Sequence, residues 1–170
     1  MPWSPTMDGS LHEQSLPNNE SAGAVFNSGM ADPPVGSSYS AVTFTIKGGG
    51  SDSGTISFKH ADTDGTILAT SETYDTSQIT TSYKEITLNF LAPITISANQ
   101  GVVCDNTSND GTITLKANTS TSTSNYSSCQ GIPTYAPVGG AAIGNYIEIT
   151  LGSGSTAGTR LPPPPIVVHF

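Results

Sequence analysis

The sequence is poor in charged residues, and above all in basic ones. Its 170 residues include 5 Lys and Arg against 13 Asp and Glu, which gives a formal net charge of −8. The charged fraction of 11% is well below the roughly 25% typical of soluble domains. So few basic side chains cannot neutralise a phosphate backbone, and we therefore expect no nucleic-acid partner.

Long apolar runs are also missing. No stretch approaches the ~20 apolar residues of a membrane-spanning helix, so membrane insertion is not expected. The opening residues, MPWSPTMDGSLHEQ, show neither the basic nor the apolar region of a secretory signal peptide. Gly, Ser, Thr and Asn supply most of the polarity, as in many all-β proteins that work outside cells. This combination predicts a location on a virion surface, with an extracellular or cell-surface location as the alternative.

Cysteine is scarce, since the chain has only Cys104 and Cys129. A bond between them would close a loop of about 25 residues and would stabilise the fold by about 3 kcal/mol in the chain-entropy model. Two cysteines alone do not establish a pairing. The pair is therefore a disulfide candidate, and a reduced pair is the alternative.

The remaining composition divides the chain into three parts. Residues 1–38 show no sustained period and contain several prolines, which predicts an irregular, extended N-terminal arm. Residues 39–152 carry the alternating pattern of β-strands. Residues 153–170, SGSTAGTRLPPPPIVVHF, predict a Gly/Ser hinge, a polyproline spacer and an apolar tip. The β-branched tip is of a kind that can add to the sheet edge of a neighbouring subunit.

The central part alternates apolar and polar side chains with a period of two. Residues 41–47 place Val42, Phe44 and Ile46 on one face, and residues 82–90 repeat the pattern. About eight such segments, separated by turn signals, predict an all-β fold: an antiparallel β-sandwich of the jelly-roll type. An immunoglobulin-like sandwich is the next choice, but its core Trp is missing because the only Trp is Trp3.

The run VTFTIKGGGSDSGTISFKHADTDGTILATSETYDTSQITTSYKEITLNFLAPITISANQGVVC adds a family resemblance. It resembles a jelly-roll module repeated across microbial and phage surface proteins, in which a V-x-F-x-I/L-K strand, a Gly-rich hinge and a DG-x-LATSE hairpin follow one another. The resemblance covers residues 41–152. It implies a carbohydrate-binding-like sandwich of the kind found in surface anchors and phage fibres, and it implies no catalytic residues.

No motif in the chain predicts an enzyme. The segment DTDG at residues 62–65 opens like a calcium loop, but the position that would need a bidentate Glu is Thr73, so a hairpin turn is the better interpretation. A structural calcium in this loop or at residues 104–111 is the alternative to having no cofactor at all. The Gly-rich loop at residues 48–54 lacks the Lys of a phosphate-binding loop.

Two sets of residues are candidates for binding. Aromatic rings beside amides suit sugars, which makes the first set a candidate glycan site: Asn125, Tyr126, Gln130 and Tyr135. Apolar residues of the arm and the tip are candidates for assembly docking: Trp3, Phe26, Leu161, Ile166, Val167, Val168 and Phe170.

The sequence therefore favours a structural virion protein, a capsid decoration or fibre-type subunit of a tailed phage. We expect it to bind other virion proteins and copies of itself. A carbohydrate-binding or adhesion module, with glycans as its ligands, is the alternative.

Overall fold

A computed structural model describes residues 2–28, 30, 35–50, 52–123, 125–131, 141–143 and 145–153. Within these residues the chain forms twelve strands and one short 3-10 helix, Thr76–Gln78. The strands are β1 (Leu11–Leu16), β2 (Ser21–Phe26), β3 (Ser38–Lys47), β4 (Gly54–Ala61), β5 (Ile67–Asp75), β6 (Lys84–Thr95), β7 (Gln100–Asn109), β8 (Ile113–Asn118), β9 (Tyr126–Gly131), β10 (Ala141–Ile143), β11 (Tyr146–Ile147) and β12 (Ile149–Gly152). The all-β class is confirmed, although the number of strands exceeds the predicted eight or so.

All strand pairs are antiparallel, and together they make one sheet that curls into a half-barrel. The order across the sheet is β1-β8-β3-β6-β5-β4-β7-β2-β9-β10, with β11 added to β8 and β12 added to β3. Chain neighbours such as β1 and β2 are thus far apart in the sheet. Long-range pairing, not local hairpins, holds most of the structure together.

The hydrophobic core lies on the inner face of the curl. Val42, Phe44 and Ile46 are each 0% exposed, as their alternation in the sequence predicts. The rings of Phe44 and Phe58 meet edge to face with their centroids 4.7 Å apart. Burying each such side chain stabilises the fold by about 1.5–3 kcal/mol relative to leaving it in water. The predicted inward face of β6 is buried too, which confirms the period-two pattern in that strand.

Residues 1–38 do not form an arm outside the domain, so this prediction is wrong. β1 pairs with β8 along its whole length, from Leu11–Asn118 to Leu16–Ile113. β2 lies between β7 and β9, and every one of its residues is buried. A strand buried on both faces shows no polar alternation, and this is why its sequence, SAGAVF, gives no period-two signal.

Trp3 and Phe26, two of the candidates for docking, pack in or against the core of their own chain. Phe26 is 0% exposed. The backbone of Trp3 pairs with Leu151 of β12 through hydrogen bonds of 2.7 and 2.8 Å. The ring of Trp3 meets the ring of Phe26 edge to face at 5.7 Å. Both rings therefore contact the core of their own chain, which contradicts the prediction that they anchor a neighbour.

Candidate functional site

The join between β5 and β6 is weak. Among the described residues, Ser71 and Phe90 are the single registered pair of these two strands. On the other side of β6 the register against β3 moves from Ala41–Asn89 to Tyr39–Ile94. The intervening β6 residues therefore bulge from the ladder. We call the groove between residues 68–70 and residues 91–95 the β5–β6 seam.

The β5–β6 seam is apolar and open to solvent. It is a groove of about 410 Å³, lined by His60, Leu68, Ala69, Thr70 and residues 91–95. Leu91 on its rim is 98% exposed and Leu68 is 47% exposed. Exposed apolar side chains gathered at one place mark interaction surfaces. In the part of the chain that the structure describes, one further exposed leucine, Leu11, stands apart on β1.

The floor of the seam is polar but satisfied. His60 is 3% exposed, and its Nε2 lies 2.8 Å from Oε1 of Gln100. The same Oε1 accepts the backbone N–H of Ser97 at 2.8 Å, which makes His60 Nε2 the donor. Burial lowers the pKa of His60, against the opposing effects of Gln100 and Asp62. The seam therefore presents a neutral, hydrogen-bonded floor under an apolar rim, which suits docking of apolar groups.

A second groove crosses the outer face of β3, β6 and β12. It measures about 270 Å³, and hydroxyl and carboxylate side chains dominate its lining: Ser4, Pro5, Met7, Thr43, Thr45, Glu85, Glu148, Ile149 and Thr150. Glu148 is held by Lys116 Nζ at 2.9 Å and by Asn118 Nδ2 at 3.0 Å. The groove can offer hydrogen bonds to a polar ligand, but none of its lining residues is aromatic.

Of the predicted glycan residues that the structure describes, Tyr126 and Gln130 make contacts within the fold. Tyr126 is 5% exposed, and its hydroxyl donates to the carbonyl of Ile147, so its ring cannot stack on a sugar. Burial raises the pKa of Tyr126 far above its usual value. Gln130 accepts a hydrogen bond from Gln14 Nε2 at 2.7 Å and also contacts Glu20. Asn125 is exposed at the start of β9, and Tyr135 lies outside the described residues.

The predicted disulfide is wrong for this fold. Cys104 pairs across β7 and β2 with Ala22, while Cys129 pairs across β9 and β2 with Gly23. β7 and β9 thus lie two inter-strand spacings apart, which is roughly 10 Å. A disulfide needs Cα atoms about 4.4–6.8 Å apart. Both cysteines are buried thiols, and they belong to different apolar clusters.

The DTDG segment is a hairpin turn, as the preferred interpretation had it. The Asp62 backbone N–H donates to the carbonyl of Thr66 at 2.8 Å, and Gly65 supplies the positive φ of 89°.

Within the described residues no group of three or more His, Cys, Asp or Glu side chains is arranged to hold a metal ion. The described part of the chain also holds no helix long and apolar enough to cross a membrane. The docking candidates Leu161, Ile166, Val167, Val168 and Phe170 lie outside the described residues.

Comparison with protein-family models, with curated proteins and with solved structures finds no match for this chain. The resemblance to jelly-roll surface modules therefore stays a prediction. The β5–β6 seam becomes the candidate site on its geometry alone.

Sequence reasoning missed this seam, although one signal for it was present. The alternation of residues 82–90 stops at Leu91, and Pro93 follows two residues later. A proline inside a strand pattern marks an edge or a bulge, because it has no N–H to give to a ladder. An apolar residue beside such a break is a candidate for exposure.

Proposed function

We propose that the chain is a structural protein of a virion surface, a capsid decoration or fibre-type subunit of a tailed phage. It would dock to neighbouring subunits and to copies of itself. The observation that carries this proposal is Leu91, which is 98% exposed on the rim of an apolar groove. Such a side chain gains about 1.5–3 kcal/mol when a partner covers it fully. The low charge and the resemblance to phage surface modules support the same function.

The proposed scaffold is a jelly-roll β-sandwich. β1, β8, β3 and β6 make one part of the sheet, and β5, β4, β7, β2, β9 and β10 make the other. Among the described residues Ser71–Phe90 is the one registered strand pair between the two parts, and a large core lies on their inner faces. Two such layers around one core are what a sandwich requires. This architecture needs no cofactor and no catalysis for the proposed role.

The proposed docking role differs from the one that the sequence suggested. Residues 11–16 and 21–26 are strands of the fold itself, so they are not available to wrap a neighbour. Docking would instead use the β5–β6 seam as the receiving surface and residues 161–170 as the contributed segment. We expect the seam to be covered in the assembled particle.

The test is particle incorporation. In the virus that encodes the chain, immunogold labelling should detect the protein on the outside of purified particles. Removing residues 161–170, or replacing Leu91 by Glu, should lower the number of copies per particle. Leu11→Glu is the matched control, because Leu11 is also exposed, at 57%, but lies on β1 away from the seam. Unchanged occupancy in both test variants would contradict the docking role.

A glycan-binding or adhesion function is the second candidate. The hydroxyl and carboxylate groups of the second groove favour it, since sugars are bound by networks of such hydrogen bonds. A glycan array with the purified chain would test it. A specific signal that Thr43→Val and Glu85→Gln abolish would favour adhesion over assembly as the main role.

A further inference from the structure

We infer that the β5–β6 seam is a strand-acceptor site for residues 166–170 of a second copy of the chain. The inference rests on the proposed docking function and deepens it, because it names the surface, the segment and the kind of contact. The contributed segment would lie beside the open edge of β5. It would add a strand to the sheet at the point where β5 and β6 separate.

Among the described residues, one edge of β5 lacks registered partners along residues 67–70. Residues 67–70 pair with β4 on one side, through Ile67–Ala61, Ala69–His60 and Thr70–Lys59. On the other side, among the described residues, only Ser71 has a registered partner. The edge along residues 67–70 therefore faces the groove. Open edges of this kind are templates for an added strand.

β6 does not close the gap beside residues 67–70 of β5. Residues 91–93 lie where the register of β6 against β3 shifts, and all three are exposed. Pro93 has no backbone N–H to donate to β5. The Leu91 side chain projects into solvent and not into the core. The gap is thus built into β6, and an incoming strand can pair with β5 while packing on Leu91.

The chemistry of residues 166–170 suits a strand added beside an apolar rim. Residues 166–170, IVVHF, contain three β-branched residues, which favour extended structure. In a strand, Ile166, Val168 and Phe170 would share one face because side chains alternate. That face is wholly apolar, as is the rim formed by Leu68 and Leu91. The lining of the seam contains no carboxylate, lysine or arginine that would be buried without a partner.

A second copy of the chain is the source that we infer for the segment. In the single chain Leu91 stays 98% exposed, so the seam is open before any partner arrives. Residues 153–165 separate β12 from the segment, and their four prolines favour a semi-rigid spacer of about 3.1 Å per residue. We expect a spacer of this kind to let the segment reach a second copy of the chain. Exchange between two copies would give a closed dimer, and donation in one direction would give a ring.

Cross-linking of separate chains tests the inference. One full-length chain carries Leu91→Cys and another carries Val168→Cys, and the two are mixed under mild oxidation. The native cysteines are buried and should not react. We expect disulfide-linked dimers from this mixture. We expect none from the matched mixture of Leu11→Cys with Val168→Cys.

Three results would overturn the inference. They are equal yields from the two mixtures, no dimer from the first mixture, and a chain carrying both changes that cross-links only to itself. Sedimentation of the full chain gives an independent measurement. Leu91→Glu should weaken self-association by at least about tenfold, equivalent to 1.4 kcal/mol, whereas Leu11→Glu should not. A chain that is monomeric at every concentration and gives no cross-link would also contradict the inference.

The strand-acceptor inference and the proposed virion function can fail independently of each other. A chain that labels particles but does not cross-link through Leu91→Cys would overturn only the strand-acceptor inference. A chain that cross-links in solution but is absent from particles would overturn the virion function. Unfolding curves of the Leu91 and Leu11 variants should agree within about 0.5 kcal/mol of wild type, which excludes misfolding as the cause.

Discussion

Cys104 and Cys129 lie on strands that flank β2, and their side chains face opposite sides of the sheet. Ala22 is in register with both Cys104 and Gln130, so these three residues share a face, and Cys129 points the other way. Cys104 packs in the main core with Phe26, whereas Cys129 packs with Val103 in a separate cluster. Two thiols divided by a sheet cannot meet without unfolding it.

The cysteines should therefore behave as unreactive, buried thiols. Burial raises the pKa of the Cys104 thiol well above its usual value, which lowers the reactive thiolate fraction. We expect no reaction with a thiol reagent in the native protein and reaction of both cysteines in denaturant. Electrophoretic mobility should be the same with and without reductant. A faster-migrating, reductant-sensitive species from fresh native protein would contradict the assignment.

Phe26 should be essential for the stability of the isolated chain. It is 0% exposed and contacts the rings of Trp3 and Tyr126. Phe26→Ala should lower the free energy of unfolding by about 3–5 kcal/mol, because it removes transfer energy and leaves a cavity. Chemical denaturation of the monomer checks this, and Leu11→Ala serves as the exposed control. If Phe26→Ala left the free energy of unfolding unchanged, Phe26 would not be part of the core. The prediction that residues 1–38 form a docking arm would then stand.

Asn106 should stabilise the contact between the end of β1, β7 and the turn that follows β7. It is 0% exposed, and its Nδ2 donates to the carbonyls of Leu16 at 3.0 Å and Gly111 at 2.9 Å. Its Oδ1 accepts from Asn109 Nδ2 at 2.9 Å. Asn106→Ala should destabilise the protein by about 3 kcal/mol, because it leaves buried polar groups without partners. The urea midpoint should fall at an unchanged m-value, while Asn18→Ala on the exposed turn should leave it in place.

His60 should make stability depend on pH below neutrality. Burial lowers its folded-state pKa below the usual value of about 6.5. The unfolded chain then binds a proton at a higher pH than the folded chain. The stability is fully present above about pH 6.5 and declines as the pH falls towards the lowered folded pKa, by at most about 1.4 kcal/mol per pH unit.

The measurement is the free energy of unfolding of wild type and His60→Gln between about pH 7.5 and about pH 5. His60→Gln should flatten the profile, because it removes the buried imidazole whose pKa is lowered by burial. Equal slopes for wild type and His60→Gln would exclude His60 as the titrating group.

The alternating segments of the sequence determined the strands of the central region and the faces that they bury. Val42, Phe44 and Ile46 lie in the core because their spacing places them together on any extended backbone. The Asp-Gly turn at Gly65 was predictable for the same local reason, since a positive φ favours glycine. The all-β class follows from such local rules.

Only the tertiary structure decided which strand lies beside which. The placement of β2 between β7 and β9 joins residues about 80 and 100 positions away along the chain, as the pairs Ala22–Cys104 and Phe26–Tyr126 show. That placement buries Tyr126, separates the cysteines and takes β2 out of solvent. The β5–β6 seam likewise depends on two strands that could pair but meet only at Ser71 and Phe90. A period in the sequence states which side chains share a face, but the register between distant strands decides what that face meets.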